Sequence, residues 1–153
     1  MKRKATKYIV IHCSATRPEM DIGVEEIRKW HMAKGWSDVG YHFVIRRNGK
    51  VEKGRIINDI GAHVAGYNAV SVGVCLVGGL NGNGRAVNNF TQEQMESLVS
   101  TVQYLKGLYP SAEVLGHRDL SPDKNNDGKI TPDEWLKACP CFDVREWWAA
   151  VQK

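Results

Sequence analysis

No stretch of this 153-residue chain approaches the run of roughly 20 apolar residues that a membrane-spanning helix needs. The opening, MKRKATKYIVIHCSAT, is basic but offers only Tyr8 to Ile11 as an apolar run before His12 interrupts it. It therefore lacks the core of a secretory leader, and the expectation is a chain made in the cytoplasm, with no signal peptide, until something releases it. Cysteine is sparse: Cys13, Cys75, Cys139 and Cys141. Without an export signal, these point to reduced thiols or metal ligands rather than a disulfide framework. Neither sign of charge dominates. The net charge of +4 suits a polyanionic partner, nucleic acid or an anionic cell wall, without requiring one. No basic stripe with interleaved aromatics is present, which argues against a dedicated nucleic-acid binder. The glycines of NGNG (81–84) lack the spacing of a phosphate loop, and no Gly-Lys-Ser/Thr follows them. No repeat or low-complexity linker divides the chain, so 1–153 reads as one domain, expected to be a monomer.

What is present alternates between strand and helix. KYIVIH (7–12) has a β-branched apolar centre and predicts a buried strand ending at His12. GVEEIRKWHMAKG (23–35) predicts a helix with Ile27, Trp30 and His31 near one face and Gly35 as its stop. In YHFVIRRNGKVEKGR (41–55), two strand-like runs flank Asn48-Gly49, a preferred pair for a tight hairpin turn. SVGVCLVGG (71–79) is nearly continuous in apolar residues, as a central strand covered on both faces should be. FTQEQMESLVSTVQYLKGLYP (90–110) carries a Thr91/Gln94 capping box and helical spacing of Met95, Leu98, Val99, Val102 and Leu105. EVLGH (113–117) is a short strand delivering His117, and FDVREWWAAVQ (142–152) is a C-terminal helix capped by Asp143. The predicted class is α/β: a single-domain mixed central sheet with flanking helices.

Of the five histidines, His31 lies in a helix and reads as a packing or surface residue, and His42 points to the face opposite Tyr41. His12 and His117 each end an apolar strand, where a sheet presents side chains to a cleft. Two such histidines and a thiolate would make a three-ligand zinc site with an open position. Spacing alone favours the plainer alternative, two hydrogen-bonded core histidines, because the residues are far apart and no compact zinc motif joins them.

Five segments change that weighting: IVIHCSAT (9–16), VEEIRKWH (24–31), GWSDVGYHFVIRRNG (35–49), GAHVAGYNAVSVGVCLVGG (61–79) and KACPCFDVREWW (137–148). In content and order the chain resembles the type 2 N-acetylmuramoyl-L-alanine amidases, most closely the bacteriophage T7 lysozyme group, whose fold is shared with the peptidoglycan recognition proteins. The resemblance implies zinc held by His12, His117 and Cys139, with Cys139 preferred to Cys141 because the family pattern is Lys-x-Cys-Pro. It implies Tyr41 and Lys137 at the catalytic positions and His63 near the substrate groove. The implied reaction is cleavage of the amide between N-acetylmuramic acid and L-alanine in peptidoglycan, as a phage or prophage endolysin that reaches the cell wall after release. Zinc would activate water and polarise the carbonyl, Lys137 would stabilise the oxyanion, and Tyr41 would hydrogen-bond the water or the oxyanion, with either Tyr41 or Lys137 open as the group that moves the proton. The alternatives are a non-catalytic peptidoglycan-binding module on the same fold, or a polymerase-binding regulator, a partner that no motif here transfers.

One departure is the length between His117 and Cys139. Residues 121–136 hold most of an insertion, and DKNNDGKITPDE (123–134) matches a calcium-hand loop. Asp123, Asn125 and Asp127 would supply oxygens, Gly128 the sharp turn, Lys129 a backbone carbonyl and Glu134 two closing oxygens, with Thr131 at the often water-mediated place. The expectation is that calcium folds the insertion so that His117 and Cys139 come together.

Overall fold

The structure, a computed structural model, describes residues 1–122, 124, 126, 127, 130 and 138–152. Its centre is strand β1 (Tyr8–Cys13), flanked by β4 (Ser71–Leu76) on one side and β5 (Glu113–Gly116) on the other, both parallel to it. Strand β2 (Phe43–Ile45) runs parallel to β4, and β3 (Val51–Lys53) closes the edge antiparallel to β2. The order is β3-β2-β4-β1-β5, a mixed sheet as the alternation of elements predicts. β4 is buried along its whole length and β1 from Ile9 onward, which is why both read as apolar runs: helices or loops cover them on each side. β4 ends at Leu76, three residues before the predicted limit, where Gly78 and Gly79 turn the chain away.

The hairpin between β2 and β3 uses its glycine one position later than a two-residue turn would. Gly49 N–H bonds the Arg46 carbonyl at 2.8 Å, so Arg47 and Asn48 are the central residues. Gly49 itself takes the left-handed conformation (φ +87°) that closes such a turn. Helix α1 (Val24–Ala33) turns Ile27, Trp30 and His31 to one side, with Ile27 and His31 buried and Trp30 42% exposed. Helix α2 (Gln92–Leu108) starts with a reciprocal Thr91/Gln94 box. Its Gln94 is fully buried and also donates to the Ile45 and Val77 carbonyls (3.1 and 2.8 Å), tying the helix start to the ends of β2 and β4. Helix α3 (Val144–Val151) is capped by Asp143, which accepts from Glu146 N–H at 3.0 Å.

The two faces of the sheet differ. Helices α2 and α3 cover one with a continuous core that includes Ile9, Ile11, Val74, Leu98, Leu105 and Trp148. On the other, two smaller apolar clusters form, one around Ile27, Val44 and Cys75 and one around Val10, Val64 and Leu115. His12, His42 and His63, each 8% exposed or less, are buried on this second face. None of the described helices is long and apolar enough to cross a membrane.

Candidate metal and active site

β1 and β5 pair with Ile11 opposite Gly116, so His12, the next residue of β1, and His117, the first residue past β5, come side by side at the same end of the sheet. Their rings stand 4.6 Å apart between centroids. Cys139 joins them from the segment before α3, and ligand atoms of His12, His117 and Cys139 all lie within 4.8 Å of one another. The main chain holds this arrangement: Arg118 N–H donates to the Cys139 carbonyl at 3.0 Å. The two ends of the insertion therefore meet directly through a backbone hydrogen bond.

The chemistry of this set suits zinc. Two imidazoles and a thiol are borderline-soft donors, and three protein ligands leave a position open for water and substrate. The main-chain N–H of Cys13 donates to Cys139 Sγ at 3.0 Å and fixes the place of the sulfur. Cys141 lies outside the three-residue group, with its sulfur facing the Gly79 carbonyl at 3.6 Å. Its hydrogen bond with Cys13, then burial, pushes the Cys141 thiol up. The bond with Cys139, helped by burial, pushes the Cys13 thiol up to about 12. Both therefore keep their protons at neutral pH.

Tyr41 reaches the same place from the strand side, its ring 5.0 Å from that of His12. Burial, reinforced by the neighbouring Cys75, raises its phenol well above the ordinary value. At neutral pH it is an O–H donor and not a phenolate. A cleft of about 790 Å³ opens over these residues, with Trp30, Trp36 and Leu80 on its walls and His63 in its lining. Lys34 Nζ sits 5.3 Å over the Trp36 ring at the rim. The structure thus brings His12, His117, Cys139, Tyr41 and His63 to one cleft. Lys137, Asp123, Asn125, Lys129 and Glu134 lie outside the described residues, and Asp127 is exposed.

Three participants were not singled out from sequence. Cys13 acts through its main-chain N–H, which no side-chain pattern signals. Trp36 stands on the cleft wall within a motif noted only for its resemblance. Ser71 did leave a trace: it is a hydroxyl opening the otherwise apolar run SVGVCLV, fully buried and facing His63.

Comparison with known proteins agrees with this geometry. The family profile described as N-acetylmuramoyl-L-alanine amidase matches residues 2–134. An endolysin of Enterobacteria phage K11 is 48% identical over 146 residues, covering 95% of this chain and 87% of its own. The endolysin of Escherichia phage T7 is 45% identical over 147 residues, with 96% and 88% covered. Among solved structures, the N-acetylmuramoyl-L-alanine amidase LysCS from Clostridium intestinale superposes with a TM-score of 0.73 at 27% identity, covering 96% of this chain and 84% of that one. Bumblebee PGRP-SA, at 22% identity and a TM-score of 0.70 with 97% and 87% covered, shares the fold.

The buried histidines make stability depend on pH. Desolvation lowers His31 and His42 from the ordinary 6.5 to about 4. Each accepts a main-chain N–H through Nδ1, from Gly40 at 2.8 Å and Gly73 at 3.0 Å, which protonation would forbid. Below pH 6.5 the unfolded chain takes up protons that the folded rings refuse, so stability falls as pH falls, levelling off near pH 4. Melting curves of chelator-treated protein should show Tm declining through this window, with a shallower decline in His31→Gln. A flat Tm down to pH 5 would contradict the assignment of neutral buried rings.

Proposed function

The chain belongs to the N-acetylmuramoyl-L-alanine amidase family, and from that premise we propose how its cleft performs the reaction. It is an amidase of the phage endolysin type, a hydrolase of the amide that joins N-acetylmuramic acid to L-alanine in peptidoglycan. The observation that carries the proposal is the convergence of His12, His117 and Cys139 within 4.8 Å at the floor of an open cleft. These three residues are proposed to hold zinc, which supplies Lewis acidity that activates water near neutral pH and polarises the scissile carbonyl.

The chain's own side chains are proposed to do the rest. Tyr41, kept protonated by burial, donates a hydrogen bond at the reacting centre and helps bring a proton to the departing alanine nitrogen. Lys137, assigned on the Lys-x-Cys-Pro pattern alone, places an ammonium near the carbonyl oxygen as negative charge grows on it. His63, assigned near the substrate groove by resemblance, lines the cleft behind His12. Trp30 and Trp36 offer flat apolar surfaces on which sugar rings can stack. A non-catalytic binding module would have no use for a complete set of three metal donors, so the enzymatic reading is favoured.

Purified protein incubated with peptidoglycan should release the amino group of L-alanine without forming new reducing sugar ends, and a chelator should stop the reaction. Cys139→Ser should lose both zinc and activity, because a serine hydroxyl stays protonated where a bound thiol does not, whereas Cys141→Ser should keep both. New reducing ends would identify a glycosidase instead.

For the insertion we propose calcium binding by Asp123, Asn125, Asp127, Lys129 and Glu134, on sequence alone. Its role there would be to stabilise the insertion, since the backbone bond from Arg118 to Cys139 already joins the ends. Calcium at millimolar concentration should raise Tm in the wild type and leave Glu134→Gln unmoved. Equal melting curves with and without calcium in the wild type would remove this site.

A further inference from the structure

His63 lies directly behind His12, and its two ring nitrogens face different partners. Nδ1 is 2.9 Å from His12 Nε2, and Nε2 is 3.2 Å from Ser71 Oγ. The ring occupies space that exists because position 73 is glycine: a Cβ there would stand 2.7 Å from the imidazole. The backbone beneath it is tied as well. Asn68 Oδ1 accepts the main-chain N–H groups of both His63 and Val64, at 2.8 and 2.9 Å.

The direction of each hydrogen bond follows from counting protons. The Ser71 hydroxyl donates its one hydrogen to the Tyr67 carbonyl at 2.8 Å. Toward His63 that oxygen can only accept, so His63 Nε2 carries the hydrogen. His12 Nε2 faces His63 Nδ1 at 2.9 Å, so the nitrogen that His12 can offer beside His117 and Cys139 is Nδ1. An imidazole that gives Nδ1 to a metal carries its hydrogen on Nε2, so the hydrogen between the two histidines belongs to His12 and His63 Nδ1 accepts it.

We propose that Tyr67, Ser71 and His63 form a positioning relay that sets the tautomer and ring angle of His12, so that His12 offers Nδ1 to the metal. The proposal rests on the reading of His12, His117 and Cys139 as the metal-binding set. His63 is on this account a positioning residue, acting on the reaction through His12. Metal-ligating histidines are commonly steadied by a carboxylate or a backbone carbonyl. Here the carbonyl of Tyr67 acts at two removes, through a hydroxyl and a second imidazole. A neutral partner adds no negative charge behind the ligand. His12 is thereby oriented with a smaller gain in basicity than a carboxylate partner would give, which would leave a bound ion more of its Lewis acidity.

The test uses the full chain with nitrogen-labelled histidine and spin-active cadmium in place of zinc. Long-range proton–nitrogen spectra report which nitrogen of each ring is protonated, and cadmium–nitrogen coupling reports which one binds. The expected result is coupling to His12 Nδ1, a protonated His12 Nε2 whose hydrogen exchanges slowly, and His63 as the Nε2–H tautomer. Coupling through His12 Nε2, or His63 protonated at Nδ1, overturns the relay. His63→Phe keeps a ring and removes both nitrogens. It should weaken zinc binding about 10- to 100-fold in chelator competition, and Ser71→Ala should weaken it less while mixing the His63 tautomers. Unchanged affinity in His63→Phe also overturns the relay. Absence of cadmium coupling to both His12 and His117 is a different failure: it removes the metal site itself, and the relay with it.

Discussion

Parallel pairing of β1 with β5 sets Ile11 opposite Gly116, and the residues that follow, His12 within β1 and His117 just past β5, stand side by side. Everything at the site depends on that register. Side chains alternate along a strand, so a slip of one residue would send His12 to the face covered by α2 and α3. The parallel direction matters equally, because it puts the C-terminal ends of β1, β4 and β5 at one edge, where α/β sheets open their clefts. Cys139 then needs no strand of its own. A single main-chain bond from Arg118 brings it beside His117, and the length of the intervening insertion does not enter.

The second face of the sheet has exchanged apolar packing for chemistry. Its clusters around Ile27 and Leu115 are small, and three histidines are buried alongside them. Buried polar groups are tolerated only when bonded, and these are: His42 to Gly73 and Asp59, His63 to Ser71 and His12. The continuous core under α2 and α3 on the opposite face carries the stability that this arrangement forgoes. Burial also decides protonation states. It keeps the imidazoles of His42 and His63 neutral, and it keeps the phenol of Tyr41 protonated, as a donor must be. One low-dielectric layer thus sets both the rings that lie behind the cleft and the proton donor.

Elements whose determinants lie within a few residues were legible in the sequence. Thr91 with Gln94 announced α2, Asp143 announced α3, and Asn48-Gly49 announced the hairpin, although Gly49 closes the turn and does not sit at its centre. The metal site was not legible by spacing, because His12 and Cys139 stand at opposite ends of the chain and meet only through sheet register. Family resemblance supplied what local pattern could not. Hydrogen-bond direction was further from reach: nothing local says that Ser71, in an apolar strand, faces His63. Helical spacing put Trp30 with Ile27 and His31, and all three line the cleft, but their unequal exposure depends on the cleft's shape and was beyond that pattern.

The central claim is that two imidazoles and one thiolate hold zinc at the strand ends. X-ray absorption at the zinc edge of the loaded protein measures that shell directly. The account predicts one sulfur at about 2.3 Å and two imidazole nitrogens at about 2.0–2.1 Å, with one further light atom from solvent. A shell with no sulfur would contradict it, as would one with two, since that would bring Cys141 or Cys13 to the metal and displace a histidine.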